Sequence, residues 1–313
     1  MSAHYTAHSF TIQDTDDASA VILASLTSVG SPLDSQVQKT ATGGSSYPEN
    51  ISVTELKQRF TLTTEDVVKC ITAFGLFGRK ITAADPKIGV GMNMRRIEVG
   101  AQATGSVHRQ LSFPLSYARN TRLSVSHRQD ASIDAEIHSI YDGTNAPVVI
   151  DDVFPLPTLP ASPARYTLGA LTVNDVVIGC KTQVDFDFGS SVDSFGCDSQ
   201  HYDTNLNVDQ IAPMVTITSL DPKNFAAAAA TLTGMVGTHA TCNAILRKRT
   251  PSKGTYIADA TAEHISITFS GVILPTDAFS ASGNQKGQSQ FKIETAFDGT
   301  NAPFIFDTAY AIA

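Results

Sequence analysis

The sequence predicts a mainly β protein made of two tandem β-sandwich or barrel domains, each with one packed α-helix. Three observations lead there. Apolar and polar residues alternate with period two over many short runs. Charged residues make up only 17% of the 313 positions, against about a quarter in an ordinary globular chain. Finally, Tyr141-Asp-Gly-Thr-Asn-Ala-Pro147 returns as Phe297-Asp-Gly-Thr-Asn-Ala-Pro303, with Asp142 and Asp298 standing 156 apart.

The offset holds along the chain. His4-Tyr5-Thr6 followed by Phe10-Thr11-Ile12 answers Arg165-Tyr166-Thr167 followed by Leu171-Thr172-Val173, 161 positions on. Residues 60–67 match residues 215–222 at 155, and His108 with the strand after it matches His264 with its strand at 156. Loop insertions account for the drift, so the expected domains are residues 1–157 and 158–313.

In the first copy a helix should follow Thr63 or Thr64 as cap. Glu65 and Asp66 would sit in its first turn, where the helix dipole favours carboxylates, and Gly75 would end it. Between the copies, about residues 153–164, Val153-Phe-Pro-Leu-Pro-Thr-Leu-Pro-Ala-Ser-Pro163 carries four prolines in nine residues. Proline fixes φ and removes a donor, so this linker reads as a semi-rigid strut reaching on the order of 30 Å. That length would set two domains side by side without a shared core.

In the second copy Val184, Phe186 and Phe188 alternate with Asp185 and Asp187, and Val215 and Ile217 with Thr216 and Thr218. Ile265, Ile267 and Phe269 likewise alternate with Ser266, Thr268 and Ser270, the pattern of half-buried antiparallel strands. A second helix is expected from Ser219 or Asp221 as cap, through Pro222 and Ala226–Ala230, to Gly234. Gly75 and Gly78 parallel Gly234 and Gly237, which lengthens this helix by about one turn.

Net charge is −8, with −3 over residues 1–157 and −5 over 158–313. That argues against a nucleic-acid binder that works by covering phosphates. Met1 to Asp17 lacks a basic region followed by an apolar stretch, and the Ala-rich Phe225–Val236 is too short to span a bilayer, so a non-exported, soluble chain is expected. Cys70, Cys180, Cys197 and Cys242 form no CxxC pair or zinc spacing and read as reduced thiols.

Candidate sites each have a plainer structural explanation. Asp-Gly in the repeated heptapeptide is a tight-turn signal, with no bidentate Glu at calcium-loop spacing. His4 and His8, four apart, fall in a strand or terminus where they cannot readily share an ion. His108 and His264 lead equivalent strands and read as polar strand-end residues. Arg247-Lys248-Arg249 with Lys253 suggests a solvated hairpin tip or contact with an acidic neighbour. Gly43-Gly44 and Gly89-Val90-Gly91 lack phosphate-loop context, and no GxSxG occurs. No catalytic, cofactor-binding or metal-ligating residue is therefore expected, nor a cofactor, and an enzyme is not.

The second copy runs Leu171-Thr-Val-Asn-Asp, Val184-Asp-Phe-Asp-Phe-Gly189, Asp198 to Asp203, then Pro213-Met-Val-Thr-Ile-Thr-Ser-Leu-Asp221 into its helix. This order resembles the tail tube proteins of long-tailed, siphovirus-like bacteriophages, over most of residues 165–313. The first copy is similar but has Arg59 in place of Met214 and no proline before the strand. The resemblance implies a structural virion protein that polymerises into stacked rings forming a hollow tail tube for DNA. Rings of that family usually present six domains, so a tandem chain would form trimeric rings with pseudo-sixfold symmetry. It also implies tape-measure, tail-terminator and baseplate proteins as partners, assembly in the host cytoplasm and no membrane. An acidic wall would let DNA pass without sticking. The polar segment Gly30 to Ser46 would be a loop that orders against the next ring. The alternative is another virion or surface β-sandwich module, a baseplate, decoration or adhesin protein binding protein or glycan, although absent Trp and few Tyr speak against it.

Overall fold

The period-two runs become strands throughout the computed structural model. It describes residues 4–12, 20–30, 33–40, 50–82, 90–98, 101–196, 201–220, 239–250, 255–275, 288–297 and 299–312. The first half contains β1 (His4–Ile12), β2 (Val21–Leu23), β3 (Leu26–Gly30), β4 (Leu33–Thr40), β5 (Asn50–Thr64), α1 (Val67–Phe74), β6 (Arg79–Thr82), β7 (Val90–Glu98), β8 (Ala101–Gln102), β9 (His108–Phe113), β10 (Leu115–Ser126), β11 (Ser132–Ser139) and β12 (Val149–Phe154). The second contains β13 (Arg165–Val173), β14 (Val176–Val177), β15 (Lys181–Asp187), β16 (Ser190–Phe195), β17 (Asn205–Ile211), β18 (Met214–Ser219), β19 (His239–Arg249), β20 (His264–Pro275), β21 (Ser289–Thr295) and β22 (Phe304–Tyr310). The protein is mainly β, in large antiparallel sheets.

The pairing of the first half recurs in the second, irregularities included. The order β12-β9-β7-β1-β2 is answered by β22-β20-β19-β13-β14, and β3-β5-β11-β10 by β15-β18-β21-β20. Phe10 faces Met92 as Leu171 faces Ala244, and the bulge after Ala7↔Met94 returns after Leu168↔Leu246. A second bulge, between Leu26 and Ser28 on β3, returns between Lys181 and Gln183 on β15. A bulge has to be placed by an extra residue in one strand. Its recurrence at matched positions therefore aligns the halves residue by residue.

The halves differ where one strand passes between sheets. In the first, Pro114 interrupts the chain between β9 and β10, since it has no N–H for a ladder. In the second, β20 runs through without a break at Gly271, pairing with β19 and then with β21. A Cβ on Gly271 would lie 2.1 Å from the Glu294 carbonyl oxygen and 2.8 Å from the Thr295 Cα, so only glycine fits against the backbone there. Gly271→Ala is expected to cost about 1–3 kcal/mol by overpacking, seen as a lower urea midpoint. An unchanged midpoint would contradict that close approach.

α1 buries Val67, Cys70, Ala73 and Phe74, one face of an amphipathic helix, and Gly75 ends it at φ 69°. The start differs from expectation. Asp66 is the N-cap and makes no side-chain cap bond, so Glu65 and Asp66 precede the first turn. The Thr64 hydroxyl instead accepts the Asp66 N–H at 3.1 Å and donates to the Ala24 carbonyl at 3.0 Å, tying the turn to β2's exit. The expected second helix lies outside the described residues, as do Gly234 and Gly237. The segment Gly30 to Ser46, expected as a loop, contains β4, which pairs with β5 from Leu33↔Gln58 to Thr40↔Asn50. Its Leu-x-x-x-Val spacing was hidden among polar residues.

The expectation of side-by-side domains without a shared core is corrected. β10 pairs antiparallel with β15 from Arg122↔Asp187 to Ser126↔Gln183, so one sheet continues from the first half into the second. Across this joint the Phe77 ring, just after α1, stacks on Phe304 at 6.2 Å and meets Phe188 edge-on at 6.4 Å. Asp130 takes Arg165 at 2.8 Å and Arg249 at 3.1 Å, and Arg165 lies 3.5 Å from Glu65. A strand edge has unspent hydrogen-bonding groups, and the joint satisfies one on each half.

Candidate assembly surface

The residues the sequence singled out hold the sheets together. His108 and His264 play one part twice: Nδ1 accepts the N–H of Arg96 at 3.2 Å in the first half and of Lys248 at 3.0 Å in the second. Both rings are buried. Burial, with Arg95 adding to it, lowers the His108 pKa, as suits a ring that accepts at Nδ1. His4 and His8 stand on β1, and His8 Nε2 contacts the Pro157 carbonyl at 3.3 Å, tacking the proline linker to the sheet. Arg247 pairs with Asp259, Lys248 with Glu263 at 2.7 Å and Arg249 with Asp130, so that basic run meets acidic neighbours. Lys253, Gly43, Gly44, Gly89 and Cys197 lie outside the described residues, and Gly91 is in β7. Cys70 is buried and donates to Asn120 Oδ1 at 3.2 Å; Cys242 is buried and Cys180 exposed.

The heptapeptide is a turn. Asp142 Oδ1 accepts the N–H of Thr144 at 2.8 Å and of Asn145 at 2.6 Å, while Gly143 takes φ 94° and Gly299, its counterpart, φ 92°. Among the described residues, no group of three or more His, Cys, Asp and Glu is placed to hold a metal.

Two surface features stand apart from these residues. The first is the outer face of the continuous sheet, where alternation places Thr61 and Thr63, Asp134 and Glu136, Arg119 and Arg122, Asp185 and Asp187, then Thr216, Thr218, Lys292 and Glu294 in cross-strand rows. Its charges pair. Arg122 meets Asp185 at 2.7 Å, and the Thr63 hydroxyl donates to Asp134 at 2.7 Å. Glu136 takes Arg119 through Nη2 at 2.5 Å and Nε at 3.1 Å, with Arg59 and His138 each at 3.3 Å. Burial alone would raise the Glu136 pKa, but His138 and Arg119 outweigh it and hold the carboxyl at about 2. With Arg59 included, these cations nearly balance the carboxylates, so the chain's acidity is not concentrated on this face.

The second feature is a set of uneven edges. The continuous sheet ends at β3, whose counterpart β15 is covered by β10. Beyond the joint, the β16–β17 hairpin of the second half sits against the first. The Leu56 N–H donates to the His201 carbonyl at 2.7 Å and the Tyr141 N–H to the Asp203 carbonyl at 2.8 Å. Lys57 Nζ donates to the Ser194 carbonyl at 2.7 Å and lies 3.8 Å from both Asp193 and Asp203.

No family model matches this sequence, and no curated protein aligns with it.

Asp185, Asp187, Thr216 and Thr218 of the charged face are singled out in sequence as the polar side of strands, but Glu136 with its arginines and the joint are not. The alternation Ile133-Asp134-Ala135-Glu136-Ile137-His138 signals the charged face of a strand. The joint has no such signal, since no turn links β10 to β15.

Proposed function

We propose that this chain is a structural virion protein whose two tandem β-sandwich domains, residues 1–157 and 158–313, join edge to edge into rings that stack as a tail tube for DNA. The observation that carries the proposal is the β10–β15 joint. It links one copy's edge to the next copy's edge in a head-to-tail way, which is a heterologous contact, and such contacts generate rings or filaments. It leaves β3 at the end of the sheet. The matched bulges support reading the halves as copies of one domain.

Three chains would then supply six domains, giving a trimeric ring with pseudo-sixfold symmetry. The hydroxyl-rich face, with its arginines paired to carboxylates and its charges near balance, suits a wall along which DNA slides, because a surplus of cations would hold phosphates by counterion release. Its near-neutral balance replaces the acidic wall expected from composition. On this reading the chain is not an enzyme. Its partners are other copies, the tape-measure, terminator and baseplate proteins and DNA in transit, and its location is the virion tail after assembly in the host cytoplasm. Negative-stain microscopy of the purified chain together with native mass spectrometry tests it. Hollow rings or tubes with three chains per ring are expected, and a monomer at high concentration would overturn the reading.

A further inference from the structure

The joint within the chain uses one hairpin and one seat for it. The hairpin is β16–β17; the seat is the end of the first half, where the Tyr141 ring stacks on Tyr202 with centroids 6.5 Å apart beside Leu56. Each half has both parts. The β4–β5 hairpin closes on Thr40↔Asn50 as β16–β17 closes on Phe195↔Asn205, each residue 155 positions on, and the loop between the strands has the same length. Tyr202 therefore corresponds to Tyr47, which lies outside the described residues. Tyr141 corresponds to Phe297 through the repeated heptapeptide, and Leu56 to Ile211.

The second seat is uncovered. Phe297 is 64% exposed and Ile211 47%. One hairpin and one seat are matched inside the chain, which leaves the β4–β5 hairpin of the first half and the Phe297–Ile211 seat of the second.

We infer that Phe297 and Ile211 form the seat for the β4–β5 hairpin of a second copy of this chain. Continuity with the internal joint selects that occupant: the β16–β17 hairpin sits against Tyr141 and Leu56, and β4–β5 corresponds to that hairpin as Phe297 and Ile211 correspond to Tyr141 and Leu56. The two seats differ in chemistry. Lys57, which reaches Ser194 and the carboxylates of Asp193 and Asp203, has Ala212 as its counterpart, and phenylalanine replaces the Tyr141 phenol. The contact between chains is therefore apolar where the internal one is ionic, and salt should not weaken it. The inference rests on the ring reading in needing a second copy, but it names the contact that reading leaves open.

Placing p-benzoylphenylalanine at position 297 of the full chain tests the seat. Irradiation should give crosslinks between chains that map to residues 33–58, with similar yield at 0.1 and about 1 M salt. Phe297→Asp should weaken association by about thirtyfold, the loss of an aromatic hot spot. Val177→Asp, at a position 66% exposed outside the seat, should leave association unchanged. An oligomer whose crosslinks map elsewhere, fall within one chain, fail to form or vanish in salt would overturn the seat and leave the ring reading standing. A chain that stays monomeric at all concentrations would overturn both.

Discussion

Phe304→Ala is expected to destabilise the folded chain by about 3–5 kcal/mol, the range for emptying a buried aromatic site. Phe304 has no exposed surface, and its ring stands edge-on to Phe188 at 5.8 Å, Phe186 at 5.9 Å and Phe269 at 6.3 Å. Phe186 and Phe269 project from paired strands, and Phe188 directly follows β15 with its N–H bonded to the Thr121 carbonyl at 3.1 Å, so they cannot collapse into the gap without breaking backbone hydrogen bonds. The stacked Phe77 ring comes from the first half, so the loss should loosen the joint as well as the second half. Urea denaturation followed by far-UV circular dichroism reads the effect. A much lower midpoint is expected, and a second transition would show the halves losing their coupling. A loss below about 1 kcal/mol would contradict the packing described.

Glu136→Leu is expected to cost about as much, 3–5 kcal/mol, because removing one partner of a buried ion pair leaves uncompensated charge. Arg119, with its side chain 14% exposed, would keep its cation without the carboxylate that accepts two of its N–H groups. The same residue sets an acid limit. The folded pKa of about 2 lies below the ordinary 4.5, so the stabilisation is present above pH 4.5 and is lost as pH falls from 4.5 towards 2. The shift corresponds to on the order of 3 kcal/mol at neutral pH. Stability measured from pH 7 to pH 2 should fall across that window in the unmodified chain and less steeply in Glu136→Gln. Parallel curves for the two proteins would show that Glu136 does not set the limit.

Much of the fold was legible because local chemistry wrote it twice. The period-two runs at Val184–Phe188 and Ile265–Phe269 became strands with their apolar residues buried. The offsets of 155, 156 and 161 appeared as matched ladders down to the bulges. His108 and His264, read as polar strand-end residues, each accept a backbone N–H at Nδ1 at equivalent places in the two halves. Other features depended on distant parts of the chain. Whether β10 meets β15 depends on exposed backbone edges, which carry no side-chain code. β4 reads as a loop in sequence because its polar residues mask the strand pattern, and β5 supplies the ladder that makes it a strand. The ion pairs of Glu136 carry no signal in the sequence because its partners, Arg59 and Arg119, lie in two other strands and meet it only after the sheet forms.

The β10–β15 pairing also changes the order of events in any assembly built from this chain. A contact between two separate molecules waits for collision, whereas the same contact between tethered halves proceeds at a fixed effective concentration in the millimolar range for a short linker. Half of the domain-to-domain joints in a closed ring of such chains would exist before two molecules met. Closure would then depend on protein concentration as an encounter of three bodies, not six, and dilution would release intact pairs of domains in place of single ones.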